Sequence, residues 1–421
     1  MSLIMKKSKI NSLFKISAIT LVIFESSHLI SLYFGLDKDQ ARVFFSASLI
    51  AFFFYSQYTV LIHKRQNESL AFYYPLLAFL AVFFVSMISS TFLFPKPAKD
   101  WVPSLYAFLP IFSFYFLYSI KATTEDLTKS LVIIAILVTV LLIADSLSRI
   151  ELLDNYTRLS IFDKHHRRVV LLKNEVILGI IILASIMLSK KLNPLKFLVL
   201  FLILTACLVV QVKTMESRLG LAALIVAMIT IVYFNRFQKK SLVFVMSACS
   251  IGLVLVPGWL INNIEIMQGA TNLKDGGNIS IRIETISFLI DIFYKSYGFG
   301  VGMMSPTGSI NNILHSNPFI NFYDGGVYAS VAQFGIFGAY IWYKLTFGTI
   351  KKINGTAIAA NTKNRHVAIA VVGFILGFTI TPLPLNLFLQ PWTTFIGGVV
   401  LYYLWTLSRE DNPSQTPANK L

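Results

Sequence analysis

Charge is what this sequence has least of. Only 13% of its 421 residues are Asp, Glu, Lys or Arg, while 56% are hydrophobic, and its mean hydropathy is +0.69. A soluble domain carries roughly one quarter charged residues, so the composition excludes a water-soluble globular chain and indicates a polytopic membrane protein. Cysteine is nearly as scarce. Cys207 and Cys249 both fall inside apolar runs, which makes them small core residues and excludes a disulfide framework or a cysteine metal site. No cleaved leader is expected either, although Lys6, Lys7, Lys9 and Lys15 precede or enter the first apolar run. That run is too long for a signal peptide and no small-residue cleavage pattern follows, so it reads as a retained helix. No repeat relates the two halves and no matched pair of Gly/Pro-broken segments occurs, which counts against a transporter built from repeats.

What the chain has in quantity is apolar runs of about 20 residues, the length that crosses a bilayer as a helix. Twelve are expected, at 10–34, 43–61, 71–94, 102–120, 131–147, 169–188, 195–212, 219–234, 242–261, 326–347, 367–380 and 385–407. The expected fold is therefore all-α, a polytopic membrane helix bundle of about 12 transmembrane helices. Residues 1–262 would hold the first nine spans with short loops, 263–325 a large outer loop containing an amphipathic helix, 326–408 the last three spans, and 409–421 an inner tail.

Lysine and arginine orient the bundle. With the amino terminus inside, the inner loops collect Lys64, Arg65, Lys121, Lys129, Lys190, Lys191, Lys196, Arg236, Lys239, Lys240, Lys351 and Lys352. The net charge of +16 thus needs no nucleic acid to explain it. Positive charge on the outer side runs against this sorting rule and asks for a separate reason. It gathers in 148–173, with Arg149, Arg158, Lys164, Arg167, Arg168 and Lys173; in the turn holding Lys213 and Arg218; and in the long loop, with Lys274, Arg282 and Lys295. His165 and His166 sit among these cations, which repel a metal, so the segment is expected to be a basic patch for diphosphate or glycan.

Arg218 opens the run RLGLAALIVAM. A cation in the first turn of a helix opposes the macrodipole and adds to a row of unpaired N–H groups, an arrangement suited to an external anion. The alternative is an arginine that snorkels to a lipid phosphate or pairs with Glu216. In the long loop, NISIRIETISFLIDIFYKSYGFGVG (278–302) predicts an amphipathic helix capped by Ser280 and stopped by Gly298. At about 100° per residue, Glu284, Ser287, Asp291 and Lys295 form a polar stripe, whereas Arg282 falls among Ile286, Leu289 and Phe293. An interfacial helix with an arginine at lipid headgroups is the competing reading. GFGVG (298–302) lacks the preceding strand and full spacing of a nucleotide-binding turn and reads as a flexible loop. Beyond it, INNILHSNPFINFYDGG (310–326) holds His315, Asn317 and Asp324. The ordinary pKa of histidine, about 6.5, suits proton transfer near neutrality.

Thr214, Ser217, Arg218 and Gly220 at the head of a span, Arg282 opening RIETISFLIDIFYKSYGFGVG, His315 with Asn317 close behind, and QFGIFGAY at 333–340 follow one another in this order. Over 213–340 this series resembles the O-antigen ligase and O-antigen polymerase superfamily. The resemblance implies a multispanning inverting glycosyltransferase of the bacterial inner membrane, its long loop and active site facing the periplasm, needing no cofactor, metal or nucleotide sugar. It implies an undecaprenyl-diphosphate-linked glycan as donor and a lipid-linked glycan or lipid A core as acceptor, with membrane lipids around it and a chain-length regulator as a further partner. Arg218 and Arg282 match arginines that hold the donor diphosphate, and His315 matches the histidine near the acceptor hydroxyl. Arg167 and Arg168 are added here as a second diphosphate platform, and Asn317 and Asp324 as acceptor-side residues.

The chain departs from the ligases in reading His315, Ser316, Asn317, with asparagine one place removed from the histidine, and in a short stretch between Gly302 and His315. Two basic outer segments suit an enzyme that holds two anionic lipid-linked glycans, so polymerisation of repeat units is favoured and ligation to lipid A core is the runner-up. Transport stays as a distant alternative, resting on Glu25, His28, Asp145 and Glu175 inside apolar runs.

Overall fold

A computed structural model describes residues 2–62, 70–93, 101–102, 105–148, 157–159, 167–169, 172–189, 192–215, 218–236, 278–303, 327–354, 358, 364–380 and 394–410. In chain order the helices are α1 (Ser2–Glu25), α2 (Leu29–Tyr33), α3 (Lys38–Ile62), α4 (Tyr74–Ile88), α5 (Ser113–Ser119), α6 (Thr124–Ser148), α7 (Lys173–Ser189) and α8 (Pro194–Met215). They continue as α9 (Arg218–Arg236), α10 (Asn278–Lys295), α11 (Val327–Tyr343), α12 (Thr349–Ile353), α13 (Arg365–Ile380) and α14 (Thr394–Glu410). Between α6 and α7 the chain forms one antiparallel ribbon of β1 (Thr157–Leu159) and β2 (Arg167–Val169). The fold is thus an all-helical bundle, as expected, with one small ribbon among the described residues.

Among the described residues, four stretches are long and apolar enough to cross a membrane, Gln40–Ile62, Ala71–Leu93, Thr124–Asp145 and Pro194–Gln211, and they mark a membrane protein. They coincide with four of the twelve expected spans. The run 242–261 lies outside the described residues. Several others are interrupted where the apolar pattern carries no sign of it. The run 10–34 breaks at residues 26–28, where His28 adopts a φ of 63°. There the hydroxyls of Ser26 and Ser27 donate to Ile23 O and Phe24 O, both at 2.7 Å, and the Glu25 carboxylate accepts the Ser31 N–H at 3.1 Å. These short-range bonds offer the backbone an alternative to continuing the helix. In 102–120, the part from Tyr106 to Phe112 winds as a tighter 3₁₀ helix containing Pro110, which has no N–H to give to an α-helical ladder. The run 326–347 is broken inside α11 at Gly335 (φ 61°, ψ −153°) and widens to a π turn at Lys344–Gly348.

The tightest packing surrounds α13, whose side chains from Val367 to Thr379 are all buried. It crosses α9 antiparallel, Gly377 lying on Ala223 and Gly373 on Ala227. A four-residue spacing of small residues on both helices lets the backbones approach within the reach of dispersion forces, the main attraction between helices in lipid. The far ends are tied as well: Arg365 Nη2 donates to Phe234 O at 2.8 Å, satisfying a carbonyl at the last turn of α9. Ser185 of α7 donates to His366 O at 2.7 Å. A Cβ at Gly377 would collide with the Ala223 carbonyl oxygen, whereas one at Gly348 would meet nothing. Overpacking a core costs about 1–3 kcal/mol, so Gly377→Ala is expected to lower the melting temperature of the protein in detergent by several degrees and Gly348→Ala to leave it unchanged. Equal melting curves for the two variants would mean that the α9–α13 crossing can open freely.

Candidate functional site

Arg218 is the first residue of α9. Its place at a helix start, read from the sequence, therefore holds. That start is not a loose end, because one turn further in Ala223 is clamped under Gly377. The same contacts set depths. The Ser185–His366 bond fixes α7 against α13. Ten residues back along α7, and eleven forward along α13, bring Glu175 and Gly377 to about the same level at a rise of about 1.5 Å per residue. Five residues beyond Ala223, Arg218 then lies about 7 Å further toward that end of the bundle. The starts of α7 and α9 and the end of α13 thus share one end.

Glu175, in the first turn of α7, is only 6% exposed. Among the described residues no lysine, arginine or histidine forms an ion pair with it. A carboxylate buried in that way is costly unless a cation or a proton meets it. The sequence singled out Glu175 only as an intramembrane polar residue of transporter type. Its depth just beneath the level of Arg218 gives it a different setting.

Arg282 lies in α10, which begins at Asn278, two residues before the expected cap Ser280. Ser280 is therefore inside the first turn, and Arg282 is one full turn into the helix. Asparagine is itself a strong helix starter, which accounts for the shift. The expected faces are otherwise present. Ile286, Phe288, Leu289 and Ile292 are buried, and α10 packs on α11 through Ala329 and Ala332. Ser287, Asp291 and Lys295 are exposed, with Lys295 Nζ 2.7 Å from Asp291 Oδ2. Position 282 precedes Ile286 by four residues and Leu289 by seven, so it falls on the packed face.

The ribbon gives the basic segment a register. In its register Arg168 is opposite Arg158, and Arg167 is opposite Leu159. Neighbouring residues of a strand alternate between faces, while cross-strand partners share one. Positions 158 and 168 therefore form one two-arginine face and position 167 belongs to the other. That register is one that no linear motif announces.

GFGVG is a loop, as expected, and its backbone is hydrogen-bonded to α11. Tyr297 (φ 52°) and Gly298 (φ 78°) end α10, the Gly298 N–H reaching back to Phe293 O at 3.0 Å. From there the chain runs along the break in α11. Val301 N donates to Ala332 O at 3.0 Å, Gly302 N to Gln333 O at 2.7 Å, and Ile336 N to Gly298 O at 2.9 Å. A broken helix leaves carbonyls and N–H groups without partners, which is tolerated at membrane depth only where protein satisfies them. The segment does so, and it can because Gly300 and Gly335 leave no Cβ between the two backbones; a Cβ on either would strike the other segment. Met303 N then donates to Ser86 Oγ of α4 at 2.9 Å. Three side chains, two in the turn that follows α4 and one in α11, went unnoticed in the sequence: Ser89, Ser90 and Gln333. Each is buried, and Ser89 Oγ, Ser90 Oγ and Gln333 Nε2 have no hydrogen-bond partner among the described residues.

His315, Asn317 and Asp324, expected on the acceptor side, lie in 304–326, outside the described residues, as do His165 and His166. No protein-family model matches this sequence, and no curated protein matches it.

Proposed function

We propose that this chain is a metal-independent glycosyltransferase of the bacterial inner membrane, acting at the periplasmic face on undecaprenyl-diphosphate-linked glycan and polymerising O-antigen or related repeat units. The observation that carries the reading is Arg218 as the opening residue of α9, a helix start clamped by α13 at the Ala223–Gly377 crossing. A guanidinium on a rigid helix end adds to the positive pole of the helix and to its unpaired N–H groups, the combination that receives a diphosphate. Arg282, on the packed face of α10, supplies a second guanidinium from a different element. When the glycan leaves its lipid diphosphate, negative charge grows on the departing oxygen. Fixed cations there stabilise the transition state more than the ground state. His315 takes the proton of the attacking sugar hydroxyl, and the single displacement inverts the anomeric carbon.

The basic segment 148–173, set beside the cations of the long loop, favours polymerisation over ligation, since a polymerase holds two anionic lipid-linked glycans at once. The deciding experiment is the lipopolysaccharide banding of a strain lacking this gene. Core bearing a single repeat unit is the expected pattern. Loss of all glycan from the core would make the protein a ligase, and unchanged banding together with unchanged capsule would overturn the glycosyltransferase reading.

A further inference from the structure

The turn that closes α10 carries three aromatic rings that the bundle leaves open. Tyr294, Tyr297 and Phe299 are 72%, 83% and 49% exposed. Tyr297 also holds a φ of 52°, a conformation that strains a bulky residue and that glycine would take freely. The rings are continuous with a second open surface. Ile336 N donates to Gly298 O at 2.9 Å, which sets the turn beside Ile336, and from there Ile336, Phe337, Tyr340 and Tyr343 run down one exposed face of α11. On the other side of 298–303, α4 and the π turn after it leave Phe84, Ile88 and Phe92 exposed in the same way. In a membrane protein such apolar faces meet lipid tails.

Two helix lengths give the level of this turn. From the break at Gly335 the chain winds on through the π turn and α12 to Ile353, a rise of about 27 Å. From Leu70, where a 3₁₀ turn leads into α4, to Ser86 and Ser89, which face Gly302, the rise is about 25–30 Å. The far ends of both helices lie beside cations of the inner side, Lys351 and Lys352 on one and Lys64 and Arg65 on the other. The hydrocarbon layer is about 30 Å thick, so the turn stands at its outer boundary, the level at which tyrosine gathers in membrane proteins. Lys344, on the lipid face of α11, reaches back over the Tyr340 ring one turn nearer that level, 5.5 Å from its centre, as a lysine does to lift its charge toward headgroups. The exposed pair of Lys295 and Asp291 places water above the turn.

The geometry points to Tyr294, Tyr297 and Phe299 as a lipid anchor that seats the end of α10 among the phospholipid headgroups of the outer face. The anchor belongs to the turn and not to the face of α10 that holds position 282, which packs on α11. It does not depend on the chain being a glycosyltransferase. If the chain is one, the stretch from Met303 to His315 starts at the level of lipid phosphates, where a lipid-linked glycan presents the bond to be broken.

The test uses the full chain in nanodiscs of phosphatidylcholine, either plain or brominated near the top of its acyl chains. Tyr297→Trp and Phe299→Trp are compared with Ser287→Trp, a control on the exposed stripe of α10, and the emission of the wild-type tryptophans is subtracted. Emission from positions 297 and 299 is expected to fall about twofold in the brominated lipid, because a ring at that boundary touches the upper acyl chain. It should also resist quenching by aqueous acrylamide, and Ser287→Trp should show the reverse on both counts. Each variant keeps or adds one ring on an exposed site, and 297 and 299 are read independently, so a failure of one to fold leaves the test intact. Emission at 297 and 299 that ignores the bromine and is quenched by acrylamide as at 287 would overturn the anchor. Shielding of those same rings from acrylamide by soluble O-antigen polysaccharide, with no effect of bromine, would overturn it too and make the turn a sugar-stacking platform.

Discussion

Arg218→Ala is expected to abolish glycan transfer in a protein that still inserts and accumulates normally. The side chain replaced is at the first position of α9, and the helix itself is held by contacts that do not involve it: Ala223 and Ala227 against Gly377 and Gly373, and Arg365 on Phe234 O. The fold should therefore survive, whereas one fixed donor aimed at developing negative charge is worth about two to three orders of magnitude in rate. Arg218→Lys should recover only part of this, since lysine keeps the charge but loses the planar fork that can bind two phosphate oxygens at once. Arg282→Ala should behave like Arg218→Ala. Lys295→Ala should not, because Lys295 is exposed and, among the described residues, pairs with the exposed Asp291 one turn away, a contact of small value. Turnover of lipid-linked repeat units, measured beside protein level in the membrane, reads all four. Wild-type turnover in Arg218→Ala would remove the residue from the site, and equal tolerance at 282 and 295 would make α10 an interfacial anchor.

Much of what positions this site could be read from residue order. Arg218 at a helix start, Gly298 at a helix end, and the buried and exposed faces of α10 all follow from local patterns with a period near 3.6 residues. Other features depend on partners remote in the chain. The glycines at 298–302 are compatible with a mobile loop until Gln333 and Gly335 are known to lie against them, a separation of more than thirty residues. The broken helix at Gly335 is equally silent, because its free backbone groups are satisfied by that same distant segment. Apolar runs count residues and not hydrogen bonds, so 10–34 and 102–120 gave no sign that Glu25 and the serines that follow it, or Pro110, would interrupt them. Arg158 and Arg168 share a face only through a cross-strand register. Glu175 stood out as a buried acid, yet its depth relative to Arg218 follows from two helix crossings on α13 that no single stretch of sequence contains.

His315→Ala is expected to leave binding of the lipid-diphosphate donor intact while turnover falls by about two to four orders of magnitude, the usual loss when a general base is removed. The separation follows from charge. A neutral imidazole is suited to accept a proton from a sugar hydroxyl and poorly suited to neutralise a diphosphate, which the permanently charged Arg218 and Arg282 can do at any pH near neutrality. Asp324→Asn should cost less than His315→Ala unless the carboxylate orients the ring, in which case the two losses become comparable and the double variant is no worse than either alone. A base also leaves a mark on the pH profile. With an ordinary imidazole pKa of about 6.5, wild-type turnover should rise as the pH increases from 6 to 8 and the ring loses its proton, and the variant should lose that dependence. Donor affinity and turnover are measured separately on the purified protein in nanodiscs across that range. If donor affinity falls in proportion to turnover, His315 is a contact of the donor and the proton must go to another group; the buried carboxylate of Glu175, a few ångströms deeper than Arg218 in the bundle, would then be the first to replace, as Glu175→Gln.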